Sequence, residues 1–326
     1  MKRPHRWSRI LLFISASSLI GSQVVQAQVT TAFKSIEKLD TGEIQLSLKA
    51  SPDQFIRLDS STNLSSWEGL ITLQSTGDFS YTDIHAASIG SKFYRAAVIS
   101  DEDVITGDHL STSQGEAIIH VIDHASFIIK WNDMMIYNDP VGASSLYEGL
   151  PPANLILVGH RHGDHFSNTT LEAVQSTGTV IIAPADVFGR MPPELQAITV
   201  TLANEETTTQ FGMNIEAVPA YNDRHEKGEG NSYILTLGDK RLFMSGDTED
   251  VPEMRALQDI DVAFLSMNLP FTMSVTQAAS AVREFQPKVV YPYHFRNQNG
   301  TFADLEDFTL QVGNDLNIEV RLRDWY

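Results

Sequence analysis

The chain has no cysteine in its 326 residues. That excludes disulfides, thiolate metal ligands, a cysteine nucleophile and acylation as a lipoprotein. Basic residues are scarce: 23 Lys and Arg stand against 41 Asp and Glu, a net charge of −18. A surface that acidic repels nucleic acid and anionic membranes, and it disfavours a large polyanionic substrate unless bound cations reverse the sign locally. Long apolar runs are missing beyond residue 27, so no later segment reads as a bilayer span. There is no repeat at solenoid or propeller spacing and no G-x-S-x-G nucleophile motif.

The start of the chain is layered. "MKRPHRWSR" is basic, "ILLFISASSLIGSQVV" is apolar but diluted with serine, and "VQA" places small residues at Val25 and Ala27. That is the layout of a secretory signal peptide over residues 1–27, with cleavage expected after Ala27. The apolar stretch is shorter than the ~20 residues a span needs, so no stable membrane insertion is expected after cleavage. Cleavage removes four basic residues and no acids, which takes the net charge from −18 to −22. The expected location is periplasmic or extracellular.

Residues 28–100 read as a small all-β sandwich. "EIQLSLKA" alternates Ile44, Leu46 and Leu48 on one side, the period of a half-buried strand. "QFIRLDSS", "EGLITLQS", "DFSYTDI" and "KFYRAAVI" follow, separated by Asn, Ser, Gly and Asp clusters. The polar stretch 101–116 has no periodicity and is read as a linker. From Ala117 the texture changes to apolar strands such as "NLILVGH", "DVAFLSM" and "KVVYPYH". Helical stretches, "TTLEAVQS", "VPEMRALQ", "VTQAASAVREFQ" and "TFADLEDFTLQV", lie between or after them. Residues 117–326 therefore read as an α/β domain of buried strands covered by helices, with one sheet or two left open.

Only 10 histidines are present, and three of them fall in "GHRHGDHF" directly after the buried run "LILV". If the extended geometry persists past Gly159, His160 and His162 point to the same side and can chelate one cation. Asp164 and His165, after the turn that Gly163 permits, can hold a second beside it. Imidazole and carboxylate suit zinc and its neighbours. Two further apolar strands end in the same manner, "RLFMSGDTED" at Asp247 and "KVVYPYHFRN" at His294. A buried strand end is an expensive place for such groups unless they are paired or metal-bound.

With those motifs in view, residues 117–326 resemble the metallo-β-lactamase-fold hydrolases. The H-x-H-x-D-H signature matches His160, His162, Asp164 and His165, the family's bridging aspartate matches Asp247, and its last histidine matches His294. "DHASFIIKWNDMMIYNDPV" and "FTMSVTQAASAVREFQPKVVYPYH" are similar to the branch that contains ascorbate-6-phosphate lactonase and N-acylphosphatidylethanolamine phospholipase D. The resemblance implies an αββα sandwich and two divalent metal ions, zinc in the first place with manganese or iron as alternatives. It departs from the pattern at one point. The family's remaining histidine position falls on Asn222, and His225 is the favoured substitute. Upstream, Ser61, Leu64, Trp67, Asp83, Phe93, Tyr94 and Arg95 resemble a β-sandwich module of secreted bacterial proteins. Trp67 is read as core, with sugar stacking as the alternative, and the module as a possible envelope or carbohydrate contact.

The implied activity is hydrolysis of a small ester, lactone or phosphodiester by a water shared between the two metals, whose pKa they lower toward neutrality. Asp247 would bridge the metals and Asp164 would bind one and orient the nucleophile. His124 is read as a partner that orients a ligand or as a satisfied core histidine, and Asp139 as a turn residue or a partner of a ligand. His85, His109 and His120 carry no assignment. The expected partner is a small-molecule substrate. The competing reading is a metal-binding envelope scaffold that keeps the fold without turnover.

Overall fold

The computed structural model describes residues 32–84, 86, 92–99 and 104–326. The expected signal peptide, residues 1–27, lies outside the described residues, as do His85 and residues 101–103 of the expected linker. The chain divides into two compact units, Met1–Ser111 and Thr112–Tyr326. No helix among the described residues is long and apolar enough to cross a membrane.

The first unit is all-β. Strands β1 (Ala32–Lys38), β2 (Ile44–Lys49), β3 (Phe55–Ser61), β4 (Glu68–Gln74), β5 (Phe79–Asp83), β6 (Phe93–Ile99) and β7 (Gly107–Thr112) pair antiparallel. One sheet runs β1-β2-β5, and β3 pairs on either side with β4 and β6. The alternation of Ile44, Leu46 and Leu48 turns those side chains onto Ile56, Leu58 and Tyr94 in one apolar cluster. Two buried carboxylates are fully paired. Asp59 bonds Arg57 and Arg95, each at 2.7 Å, and Asp83 receives the Tyr94 hydroxyl at 2.8 Å and Lys92 at 2.6 Å.

Two expectations need correction here. Trp67 is not core: it is half-buried, outside the apolar cluster, with the Arg95 guanidinium 4.6 Å above its ring. The stretch 101–116 is not simply a linker, because it holds β7, whose Gly107 and Asp108 pair with Thr72 and Ile71. The polar side chains that hid this strand are buried with partners. His109 Nε2 lies 2.7 Å from Thr72 Oγ1, so no apolar alternation is needed.

The second unit contains two sheets. The first comprises β8 (Gly115–Asp123), β9 (Ser126–Trp131), β10 (Met134–Asn138), β11 (Ala153–Leu157), β12 (Gln175–Ala183) and β13 (Thr199–Thr201), with β10 to β13 parallel. The second comprises β14 (Thr207–Gln210), β15 (Met213–Asn222), β16 (His225–Leu237), β17 (Lys240–Met244), β18 (Val262–Ser266), β19 (Val289–Tyr293) and β20 (Glu319–Val320), with β17 to β20 parallel. All of β18, "VAFLS", is buried, as a parallel strand covered on both faces should be. The sheets face one another. Phe127 of β9 stacks on Phe264 of β18 with ring centroids 4.2 Å apart, and Tyr233 of β16 donates to the Val158 carbonyl at 2.9 Å.

The helices are short: α1 (Asn168–Val174), α2 (Ala185–Phe188), α3 (Pro193–Gln196), α4 (Pro252–Arg255), α5 (Val275–Phe285) and α6 (Leu305–Val312). The sequence pattern gives no sign of α2 and α3, single turns that begin after prolines. Helix α5 starts at a capping box between Ser274 and Gln277, a device that contributes about 1 kcal/mol. It buries one stripe of Ala278, Ala281, Val282 and Phe285, the last against Phe243 of β17. This is the layered α/β sandwich that the pattern and the resemblance lead one to expect. Its parallel strands end together at one rim, where open α/β sheets bind ligands.

Candidate metal centre

Most of the chemically active side chains lie just beyond a strand end, and His225 opens β16. Asp139 is the first residue after β10, the 160–165 segment follows β11, Asp247 follows β17, and His294 is the first residue after β19. The extended geometry expected beyond Gly159 does not persist. The chain turns, with the amides of His165 and Phe166 both donating to the His162 carbonyl, at 3.0 and 2.8 Å. The His160 and His162 rings nonetheless stay close, 4.9 Å between centroids.

Two groups of donor atoms result. His160, His162 and His225 form one; Asp164, His165, Asp247 and His294 form the other. His225 Nε2 lies 3.1 Å from His162 Nδ1, and His294 Nε2 lies 3.0 Å from His165 Nε2. Asp247 stands between the groups. Its Oδ1 is 3.1 Å from His165 Nε2 and 3.2 Å from His294 Nε2, while its Oδ2 faces His160 Nε2 at 3.6 Å. Asp247 is buried, whereas the Asp164 side chain is 43% exposed and forms the accessible edge. Asn222 spends its side chain on the backbone. Its side chain closes the β15–β16 turn, donating to the Asp247 carbonyl at 2.9 Å and accepting from the amides of Arg224 and His225, at 2.7 and 3.0 Å.

Outer partners orient several of these groups. Asp139 accepts from His165 Nδ1 at 2.8 Å and from the Gly159 amide at 2.7 Å. His124 reaches Asp164 Oδ2 through Nε2 at 3.4 Å, and its Nδ1 meets the Tyr326 hydroxyl at 2.9 Å. Asn268 and Tyr326 are partners that sequence reasoning missed. Asn268 follows the apolar strand "VAFLS" much as Asp247 follows "RLFM", so the strand-end pattern could have flagged it. Nothing in the spacing points to Tyr326. His124, Asp139 and His294 all have positive φ, at 54°, 42° and 46°, an uncommon conformation for residues other than glycine. Backbone bonds hold them there: the His124 amide donates to the Trp325 carbonyl, Asp139 to Leu157, and His294 to His124.

The electrostatics follow from this crowding. Burial alone would raise the Asp247 carboxyl, but His165 and His294 beside it hold it well below the usual carboxylate range. Burial also opposes ionisation of Asp164, yet hydrogen bonds from His124 and His294 keep it low. Burial lowers His160, and the neighbouring His165 adds to that. For His165 burial is outweighed by Asp247 and Asp139, which raise it.

A cation fits this donor set. His160 Nε2 and Asp247 Oδ1 are buried without a hydrogen-bond partner, an arrangement that is costly unless something positive sits between them. Asp139 accepts a hydrogen bond from His165 Nδ1, so that in the neutral ring Nε2 carries the lone pair, aimed into the cluster. Asn268 lies 3.0 Å from His294 Nδ1 through its amide nitrogen, and its own Oδ1 is buried and unpartnered. Turning that amide half a revolution gives the oxygen a donor and frees His294 Nε2 in the same way.

Residues 118–294 match the model of the beta-lactamase superfamily domain. The chain belongs to the metallo-β-lactamase superfamily. A metal-dependent hydrolase of Pyrococcus abyssi is 28% identical over 215 residues, 62% of this chain and 95% of that protein. Among solved structures, a protein of Parabacteroides distasonis assigned as a metal-dependent hydrolase is 39% identical, with a TM-score of 0.60 over 68% of this chain and 99% of its own. A metallo hydrolase of Ignicoccus hospitalis shares the fold at 21% identity, with a TM-score of 0.56 over 63% of this chain and 94% of that one. This metallo-β-lactamase-fold protein is a metal-dependent hydrolase, with a His/Asp cluster able to bind metal at the strand-end rim.

Proposed function

We propose that the protein is an exported hydrolase of small esters, lactones or phosphodiesters that holds two divalent ions, zinc first, with manganese or iron as alternatives. The observation that carries this reading is the position of Asp247, one carboxylate oxygen toward each donor group. His160, His162 and His225 would hold one ion, Asp164, His165 and His294 the other, and Asp247 both. Bound there, the ions would supply Lewis-acid polarisation of the scissile group and a nucleophile at neutral pH.

The chain's own residues supply the rest. Asp164 is the exposed carboxylate of the cluster, and the hydrogen bonds from His124 and His294 keep it ionised. Its Oδ2 can therefore accept a hydrogen bond from an incoming water and orient it. Tyr326 and His124 fix the orientation of that oxygen. Asp139 and Asn268 keep the His165 and His294 lone pairs turned inward. Export is supported by the basic, apolar and small-residue layers of residues 1–27. The lactonase and phospholipase branch is supported by the "DHAS" and "FTM…YPYH" segments. The first unit is proposed to be the secreted β-sandwich module and to contact the envelope or a carbohydrate.

The test is metal content per chain after purification without chelator, with turnover of a lactone and phosphodiester panel by wild type and Asp164→Ala. Two ions per chain and loss of turnover in the variant are expected. No bound metal even after metal is added back, or unchanged turnover in the variant, would overturn the proposal. Wild-type protein that binds metal but hydrolyses nothing in the panel would favour the scaffold.

A further inference from the structure

Most basic side chains of the second unit are neutralised. Arg161 pairs with Asp186 and Glu229, Lys227 with Glu253, Arg255 with Asp250 and Glu284, and Arg283 with Asp315. Arg224 differs. Its guanidinium has no carboxylate among the described residues, and its recorded side-chain contact is the face of Phe271, with the guanidinium carbon 5.8 Å from the ring centroid. A guanidinium lying over a ring keeps its N–H edge free for a planar, bidentate anion.

The place of Arg224 gives this meaning. It immediately precedes His225, on the turn that Asn222 closes. Phe271 lies three residues beyond Asn268, on the loop that meets His294. The Arg224–Phe271 contact therefore joins the turn of one donor group to the loop of the other, across the mouth of the centre. On the same side, Arg224, His225, Arg161 and Lys227 line a cleft of about 490 Å³. Asp223, Glu226 and Glu229 line it too; Arg161 and Lys227 spend their charge on Glu229 and Glu253, whereas Arg224 has no carboxylate at ion-pair distance among the described residues. The ring-stacked, unpaired guanidinium, rather than any net positive field, is what offers a planar anion a docking edge beside the centre.

We propose that the substrate carries a fixed negative charge, a carboxylate or a phosphate, outside the bond that is cleaved, and that Arg224 reads it. This rests on the hydrolase reading above. It adds a specificity determinant that the metal ligands cannot provide, because they see only the reacting group. Loss of a charge-assisted pair of this kind costs about tenfold or more in kcat/KM.

The experiment compares two esters on the metal-loaded full chain: neutral 4-nitrophenyl acetate and anionic 4-nitrophenyl hydrogen succinate. The readout is the anionic-to-neutral ratio of kcat/KM. Arg224→Met should lower that ratio about tenfold, and Arg224→Lys should restore part of it. Arg296→Met is the charge-matched control. Arg296 also lies over a ring, 4.7 Å above Tyr326, but does not line the cleft, so its loss should leave the ratio in place. Calorimetric binding of succinate to wild type and Arg224→Met gives a second readout that needs no turnover. An unchanged ratio in Arg224→Met, or an equal fall in Arg296→Met, overturns the proposal. If neither ester is turned over and succinate still binds in an Arg224-dependent way, the ester part of the functional reading fails while the anion site stands. If succinate binds wild type and Arg224→Met alike, the anion site fails.

Discussion

The two donor groups of this centre are built to different standards. In the Asp164, His165, Asp247 and His294 group, three members have an outer partner: His165 has Asp139, His294 has Asn268, and Asp164 has His124, itself held by Tyr326. In the His160, His162 and His225 group, no outer carboxylate or amide holds a ring among the described residues, and the three rings contact one another. Orienting partners typically contribute 10–100-fold in metal affinity. The supported group should therefore bind its ion tightly and the unsupported group should exchange. The difference matters for function, since the cleft with Arg224 opens on the unsupported side.

The comparison can be broken outright at Asp247, which faces both groups. Asp247→Ala should empty both and abolish turnover, as read by metal analysis and ester hydrolysis. Next in size are single-group changes. His225→Ala should cost one ion per chain and leave the other, whereas His165→Ala should release the tightly held one. Loss of both ions in either variant would show that the groups are not independent. Smaller again is Asn268→Ala, expected to weaken one ion by roughly 10–100-fold in equilibrium dialysis while the other is unchanged.

His225 of one group and His165 of the other should also differ in the sign of their pH response when metal is removed. Burial, with His162 adding to it, lowers the His225 ring below its ordinary value. The unfolded chain then takes the proton more readily, so this contribution is present above about pH 6.5 and lost as pH falls. His165 is raised, so its contribution is complete below about pH 6.5 and lost as pH rises. Metal-free His225→Ala should accordingly show a shallower fall in melting temperature on acidification than metal-free wild type.

What the sequence reveals tracks the same asymmetry of means. Most donors were legible because they sit where a run such as "LILV" or "RLFM" stops, and an apolar strand ending in His or Asp is a local signal; His225, which opens β16, was reached only through the family pattern. The sandwich was legible from period-two alternation and continuous apolar runs. The outer partners were harder. His124 and Asp139 could be named but not assigned, because their bonds to Asp164 and His165 span 40 and 26 residues. Tyr326 meets His124 across 202 residues, and no local pattern reports such a contact. Trp67 and β7 misled for a related reason: a cation over the ring and hydrogen-bonded polar side chains in the strand stand in for apolar burial.

The smallest effect is expected at Asn222, where the family pattern and this chain part. Its amide closes the turn that presents His225, through one bond to the Asp247 carbonyl and two from the amides of Arg224 and His225. Removing a local side-chain cap of this sort costs roughly 0.5–2 kcal/mol. Asn222→Ala should thus loosen His225 without removing a donor. Metal in the unsupported group should weaken by up to about tenfold, with the supported group untouched. Asn222→Asp keeps the acceptor for both amides but loses the donor to Asp247, so it should fall between Asn222→Ala and wild type if the turn is what matters. If Asn222→Ala instead loses as much metal as His225→Ala, Asn222 acts as a ligand, and the contrast between the two groups would have to be redrawn around it.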